Sequence, residues 1–127
     1  MTIIHVTDDT VVDAVLKSDK LVLINFFSPL SAKCAELLKT LEAFAEKHKD
    51  KIDVLRADVD LCPLLTDALG VVKIPSVVSI KGEEPLVGME GVLTADMLQM
   101  LVDRSLQILD KRHINSKANN GPKAPGP

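Results

Sequence analysis

LVLINFFSPLSAKC, residues Leu21 to Cys34, joins an apolar strand to a helix through an abrupt turn. Leu21 to Phe27 carries one polar residue, Asn25, and a near-continuous apolar run of that length predicts a central strand buried on both faces. The run breaks at Ser28-Pro29-Leu30. Ser31 is a preferred helix N-cap residue, and Cys34 falls about one turn into the helix that follows. Beyond it Leu37, Leu38, Leu41, Phe44 and Ala45 recur at helical spacing, while Glu36, Lys39, Glu42, Glu46 and Lys47 take the other faces. The junction between strand and helix is therefore a candidate site.

Working outward toward the N-terminus, Thr2 to Val6 is rich in β-branched residues and predicts a strand. Asp8 or Asp9 is expected to cap a helix over Thr10 to Lys17, whose apolar stripe is Val11, Val12, Val15 and Leu16. On the other side, Ile52 to Val59 predicts a strand. Asp60 is expected to cap a short helix from Leu61 or Cys62 to Leu69, with Pro63 in its first turn and Gly70 at its end. Val71 to Ile74 approaches Pro75; Ser76 to Lys81 is a strand, Gly82-Glu83-Glu84 a turn, and Leu86 to Met89 the second arm of a hairpin. Thr94 opens a last helix to about Lys111, with Met97, Leu98, Leu101, Val102, Leu106 and Leu109 on its apolar side. The order βαβαβαββα predicts an α/β protein with a parallel sheet covered on both faces and an antiparallel hairpin at one edge.

Length and composition bound the function. A chain of 127 residues, 46% hydrophobic and 26% charged, suits one globular domain, placed at 1–112. Residues 113–127 are dense in Asn, Gly, Pro and Lys and read as a disordered tail. No apolar run approaches the roughly 20 residues of a membrane span, and the polar start MTIIHVTDDT is unlike a signal peptide. A cytoplasmic protein is expected, or an organellar one if a leader has been removed. The net charge of −3 gives no attraction for nucleic acid or an anionic membrane. With no Trp or Tyr there is no ring-stacking platform, and no glycine-rich loop cradles phosphate, so no cofactor is expected. Cys34 and Cys62 fit no zinc spacing, and one pair of cysteines is no disulfide scaffold; a reducing compartment is the simplest reading. His5, His48 and His113 are dispersed, which argues against a metal site and against a base for Ser31.

Four segments in order, LVLINFFSPLSAKC, RADVDLCPLL, GVVKIPSVVSIKGEE and VGMEGVLTADML, carry a resemblance to the thioredoxin family over roughly residues 1–110. The resemblance implies the thioredoxin fold, a mixed five-stranded sheet with two helices on each face. It also implies a cis peptide between Ile74 and Pro75, a form adopted by only about 5–6% of such bonds in folded proteins. In the family this proline lies against the Cys-x-x-Cys motif, and the backbone before it pairs with an extended stretch of the bound partner. The motif here is Ser31-Ala32-Lys33-Cys34. The pattern is also similar to the Thr-x-x-Cys of peroxiredoxins, but the Ile74-Pro75 loop and the short chain favour the thioredoxin side.

A thioredoxin attacks disulfides with the first cysteine, as a thiolate held at a helix N-terminus. Ser31 stands there, and a hydroxyl neither ionises near neutral pH nor forms a mixed disulfide. Cys34 matches the buried resolving cysteine. Asn25 matches a buried acid that assists proton transfer, and an amide cannot relay a proton. Leu30 and Lys33 replace a tryptophan and a proline. The resemblance thus implies no confident catalytic residue. It implies a binding face of Leu30, Ser31, Ala32 and Lys33, of Lys73, Ile74 and Pro75, and of Met89, Glu90 and Gly91, which would hold a protein or an extended peptide. The rival expectation is a one-cysteine redox protein using Cys34 or Cys62. A third is a subunit of a larger complex tethered by the tail. A disulfide between Cys34 and Cys62 is not expected, and a monomer is the default.

Overall fold

The computed structural model describes residues 2–119, with side chains as far as residue 112. The elements are β1 (Ile3–Val6), α1 (Val11–Lys17), β2 (Leu21–Phe27), α2 (Ala32–Lys47), β3 (Ile52–Asp58), α3 (Pro63–Ala68), β4 (Ser76–Lys81), β5 (Glu84–Glu90) and α4 (Ala95–Asn119). They form a five-stranded sheet in the order β1-β3-β2-β4-β5. β1 and β2 both run parallel to β3, whereas β4 is antiparallel to β2 and β5 to β4. This is the mixed α/β sheet with four helices that the resemblance implies.

The central place of β2 follows from its composition. All of its residues are buried, because it has a strand on either side and helices on both faces. Alternation then splits the core in two. Leu21 and Leu23, with Ile52 and Val54 of β3, face Leu37, Leu41 and Phe44 of α2 and Leu98, Leu101 and Val102 of α4. Val22, Ile24 and Phe26 face the other way, toward Val11 and Val15 of α1, Leu65 of α3 and Leu69 at its end. Side chains of successive strand residues point to opposite faces, so one strand, apolar but for Asn25, supplies both layers.

Four local expectations are corrected. Neither Asp8 nor Asp9 caps α1: Thr10 is its N-cap, with no side-chain cap bond. Asp8 reaches instead to α3, where its carboxylate accepts from the N–H groups of Leu64 at 2.9 Å and Leu65 at 3.0 Å. It takes the place expected of Asp60, since adjacent parallel strands β1 and β3 bring their following loops together. The second arm of the hairpin starts at Glu84 rather than Leu86. Pro85 is accommodated because β5 is an edge strand with a register shift opposite Ser79 and Ile80. Finally, α4 continues past Lys111 to Asn119, into the stretch read as tail, because no Gly or Pro interrupts the chain before Gly121. Residues 120–127 and the His113 side chain lie outside the described residues.

Candidate functional site

The strand directions bring five loops to one end of the sheet: those after β1, β3, β2 and β5, and the one leading into β4. The central loop turns tightly. Ser28 O accepts from Ser31 N at 3.2 Å, and Ser28 Oγ accepts from Leu30 N at 3.3 Å. This leaves the Leu30 side chain in solvent. Ser31 has extended backbone geometry and caps α2 through its side chain, with Oγ accepting from Cys34 N at 3.3 Å. One of the helix's free N–H groups is thereby satisfied. Ala32 and Lys33 are exposed on the first turn, whereas Cys34 turns inward and is only 1% exposed.

Beneath the start of α2 lies a polar layer. Leu37 and Leu41 pack over Leu23 and Val54; one turn nearer the helix start, Cys34 comes over the next same-face pair, Asn25 and Arg56. Arg56 is 7% exposed, and its Nε donates to Asn25 Oδ1 at 3.1 Å. The guanidinium carbon sits 3.6 Å from the centre of the Phe27 ring, a cation–π arrangement. The His5 ring meets the same Phe27 edge-on, so His5 is engaged on the sheet although part of it is exposed. Asn25 Nδ2 donates to Ser76 O at 3.2 Å and Phe26 O at 3.4 Å. Asn25 therefore ties β2 to β3 and β4 as a fully bonded core residue. Burial pulls the Arg56 guanidinium below its ordinary range, opposed by the nearby Cys34, Glu42 and Asp58. Among the described residues no carboxylate is in ion-pair contact with it.

The approach to β4 closes the site from the other side. Lys73 and Val72 are exposed, Ile74 is half-buried and Pro75 buried, and the Ile74–Pro75 peptide is cis. Ser76 Oγ donates to Lys73 O at 2.6 Å, which folds the loop back on itself. Gly91 N donates to Pro75 O at 2.8 Å, bringing the Met89-Glu90-Gly91 turn beside the proline. Gly91 has φ +104°, a conformation that side-chain-bearing residues rarely adopt. The residues expected at the binding face therefore gather at one end of the molecule, from β2, α2, the β4 approach and the end of β5.

Cys62 belongs to a different environment. It is fully buried at the start of α3, on the opposite sheet face, with Sγ donating to Val6 O at 3.3 Å. Burial pushes its thiol above the ordinary range, and the charges of Asp8 and Asp58 push the same way. Both cysteines are free. His48, at the end of α2, lies against Phe44 with ring centres 4.4 Å apart. Among the described residues no group of three or more His, Cys, Asp and Glu side chains could hold a metal ion, and no helix is long and apolar enough to cross a membrane.

Arg56 was not singled out by the sequence reading, although a signal exists: a lone basic residue in the apolar run VLRA sits in register with the lone polar residue of β2. Missed too were Leu61 and Val72 on loops of this same end and Leu64 in the first turn of α3, all exposed aliphatic residues.

Known proteins agree with this architecture. The thioredoxin family model matches residues 2–104. A thioredoxin of Alicyclobacillus acidocaldarius is 32% identical over 92 residues, covering 72% of this chain and 88% of that protein. Thioredoxin Y1, chloroplastic, of Arabidopsis thaliana is 29% identical over 102 residues, or 80% of this chain and 59% of that protein. An uncharacterized protein of Mycobacterium tuberculosis is 32% identical over 95 residues, which are 74% of this chain and 31% of its own length. With the sheet order and the matched span together, the chain belongs to the thioredoxin family.

Proposed function

We propose that this protein is a thioredoxin-family binding module that does not exchange disulfides through a cysteine pair, and that holds an extended segment of a protein partner at the loop end of its sheet. One observation carries the reading: Ser31 stands at the N-cap of α2, its hydroxyl engaged with Cys34 N, where a thioredoxin needs a nucleophilic thiolate. The buried relay points the same way, since Asn25 donates to backbone carbonyls and accepts from Arg56, with no proton to give and take. The backbone before Pro75 and the turn at Gly91 keep the elements on which an extended segment can lie. A reducing, cytoplasmic compartment suits two free cysteines.

The test is reduction of insulin disulfides by dithiothreitol. Wild type is expected to add nothing to the uncatalysed rate, and any dithiol-type turnover overturns the proposal. Ser31→Cys is expected to restore a weak activity, which would locate the loss at that residue. Silence from that variant would place part of the loss in Asn25 and its neighbours.

A one-cysteine redox role is the second reading, and the surroundings of the two thiols favour Cys34 for it. Cys34 lies in the first turn of α2 at the loop end, under the exposed Ala32 and Lys33, whereas Cys62 is pushed toward its neutral form by burial and by two aspartates. Alkylation rates of the native protein at neutral pH decide the matter. Two thiols that react only after unfolding exclude this role.

A further inference from the structure

Across the loop end of the sheet, aliphatic side chains stand in water and the charges around them are sorted by sign. Leu30 is 95% exposed, Val72 86%, Leu64 74% and Leu61 58%. Isolated exposed aliphatics are ordinary, but a group on neighbouring loops marks a contact surface. Following the strand order, the loop after β1 carries Asp9; β3 ends at Asp58, whose carboxylate accepts from Asp60 N at 2.9 Å, and Asp60 and Leu61 follow on the loop, with Leu64 in the first turn of α3. The loop after β2 and the start of α2 carry Leu30 and Lys33, and the approach to β4 carries Val72 and Lys73. Acidic side chains thus gather at the ends of β1 and β3 and the two lysines at the start of α2 and the β4 approach, each zone with exposed aliphatics of its own and with Glu36 one turn on from Lys33. Among the described residues neither Lys33 nor Lys73 is in an ion pair, and the same holds for Asp58 and Asp60. Glu90 stands beyond Pro75 at the end of β5, which limits the basic zone on its outer side.

We propose that the partner is an extended peptide segment with an aliphatic centre, an acidic residue that settles by Lys33 and Lys73, and a basic residue that settles by Asp58 and Asp60. This rests on the docking reading above and specifies the chemistry of the occupant. β3 and β4 are separated by β2, so the two charged zones are about 10 Å apart at roughly 4.8 Å per strand spacing. An extended chain rises about 3.3 Å per residue, which sets the two charged residues about three or four positions apart. The sorted charges fix the direction in which the segment lies, and the aliphatic contacts supply the buried area.

The experiment selects a random nine-residue phage-displayed peptide library on the immobilised full chain, then measures enriched peptides by fluorescence anisotropy. Enriched sequences are expected to share an aliphatic core with an acid and a base three or four positions apart. Lys33→Glu with Lys73→Glu is expected to weaken them about tenfold, and Leu61→Ser with Leu64→Ser by a similar factor. These side chains are exposed, and an unchanged thermal midpoint checks that each variant folds. Peptides without charge order, or indifferent to the lysine reversal, would overturn the sorted-charge inference while leaving docking at this end in place. No enrichment, or binding that survives Leu30→Ser and the Leu61 and Leu64 changes, would remove the docking reading as well. A dimer in sedimentation that Leu61→Ser with Leu64→Ser turns into monomer would make a second copy the occupant and overturn the peptide proposal.

Discussion

Arg56 Nε donates to Asn25 Oδ1 at 3.1 Å across the β2–β3 pair, where the two residues are in register under the start of α2. A buried cation ordinarily needs a counter-charge. Here a neutral amide supplies one hydrogen bond and the Phe27 ring supplies its face.

The two residues should act as a unit. Asn25→Leu leaves Arg56 without its acceptor and Ser76 O without its donor, and is expected to cost about 2–3 kcal/mol. Arg56→Met keeps an apolar body over Phe27 and removes the buried charge but leaves Asn25 Oδ1 without its donor, so it should cost somewhat less, about 1–2 kcal/mol. In the double variant the two losses should fall short of their sum by about 1–2 kcal/mol. Urea unfolding of the four proteins gives the cycle. Additive losses would mean that the bond between them contributes nothing net.

Asp8 should prove a cap for a helix far along the chain. Its two oxygens accept from Leu64 N and Leu65 N, so Asp8→Ala is expected to cost about 1–2 kcal/mol. Asp8→Asn, which keeps one acceptor, should recover part of that loss. Hydrogen exchange locates the effect: the amides of Leu64 and Leu65 should lose protection in Asp8→Ala, while those of α1 change little.

Much of this architecture is legible in the sequence where a local rule decides. The near-continuous apolar run of β2 announces a central strand, and the Ser31 cap and the helical stripe from Cys34 to Ala45 announce α2. What is hidden depends on partners distant in sequence. Asp8 serves α3 only because β1 and β3 are neighbours, and Arg56 meets Asn25 only through the β2–β3 register. The Glu84 start of β5 is hidden for another reason: Pro85 argues against a strand until the edge position and the register shift are known. The face at the loop end was readable through its backbone elements. Its exposed aliphatics were not, because Leu61 and Leu64 resemble core residues until one is seen on the loop after β3 and the other on the short α3, which buries none of its own.

Ser31 as a cap leads to a stability test separate from redox assays. Ser31→Ala should cost about 1 kcal/mol through loss of the acceptor for Cys34 N. Ser31→Asp should retain the cap. Because the first turn of α2 has no acidic residue, its charge at the positive helix end should add about 0.3–1 kcal/mol. Unfolding midpoints in urea at neutral pH check both, and an alanine variant equal to wild type would show that the hydroxyl is dispensable to the helix.

Cys62 should make the protein lose stability in alkaline solution. Its folded-state thiol titrates above the ordinary range because it is buried and faces the charges of Asp8 and Asp58. The unfolded chain ionises this thiol at about 8.5. Below that pH the folded and unfolded chains both hold the proton, and the stabilising contribution is fully present. Above it the unfolded state releases the proton first, so stability falls with each step of pH until the folded thiol also ionises. Cys62→Ser offers the same kind of donor to Val6 O and does not titrate in this window. It should start lower at neutral pH, because a hydroxyl is more costly to bury among Val6, Val11 and Ala57. It should then decline less than wild type between pH 8 and 10, and the two curves should converge. Parallel curves would assign the alkaline loss to other groups.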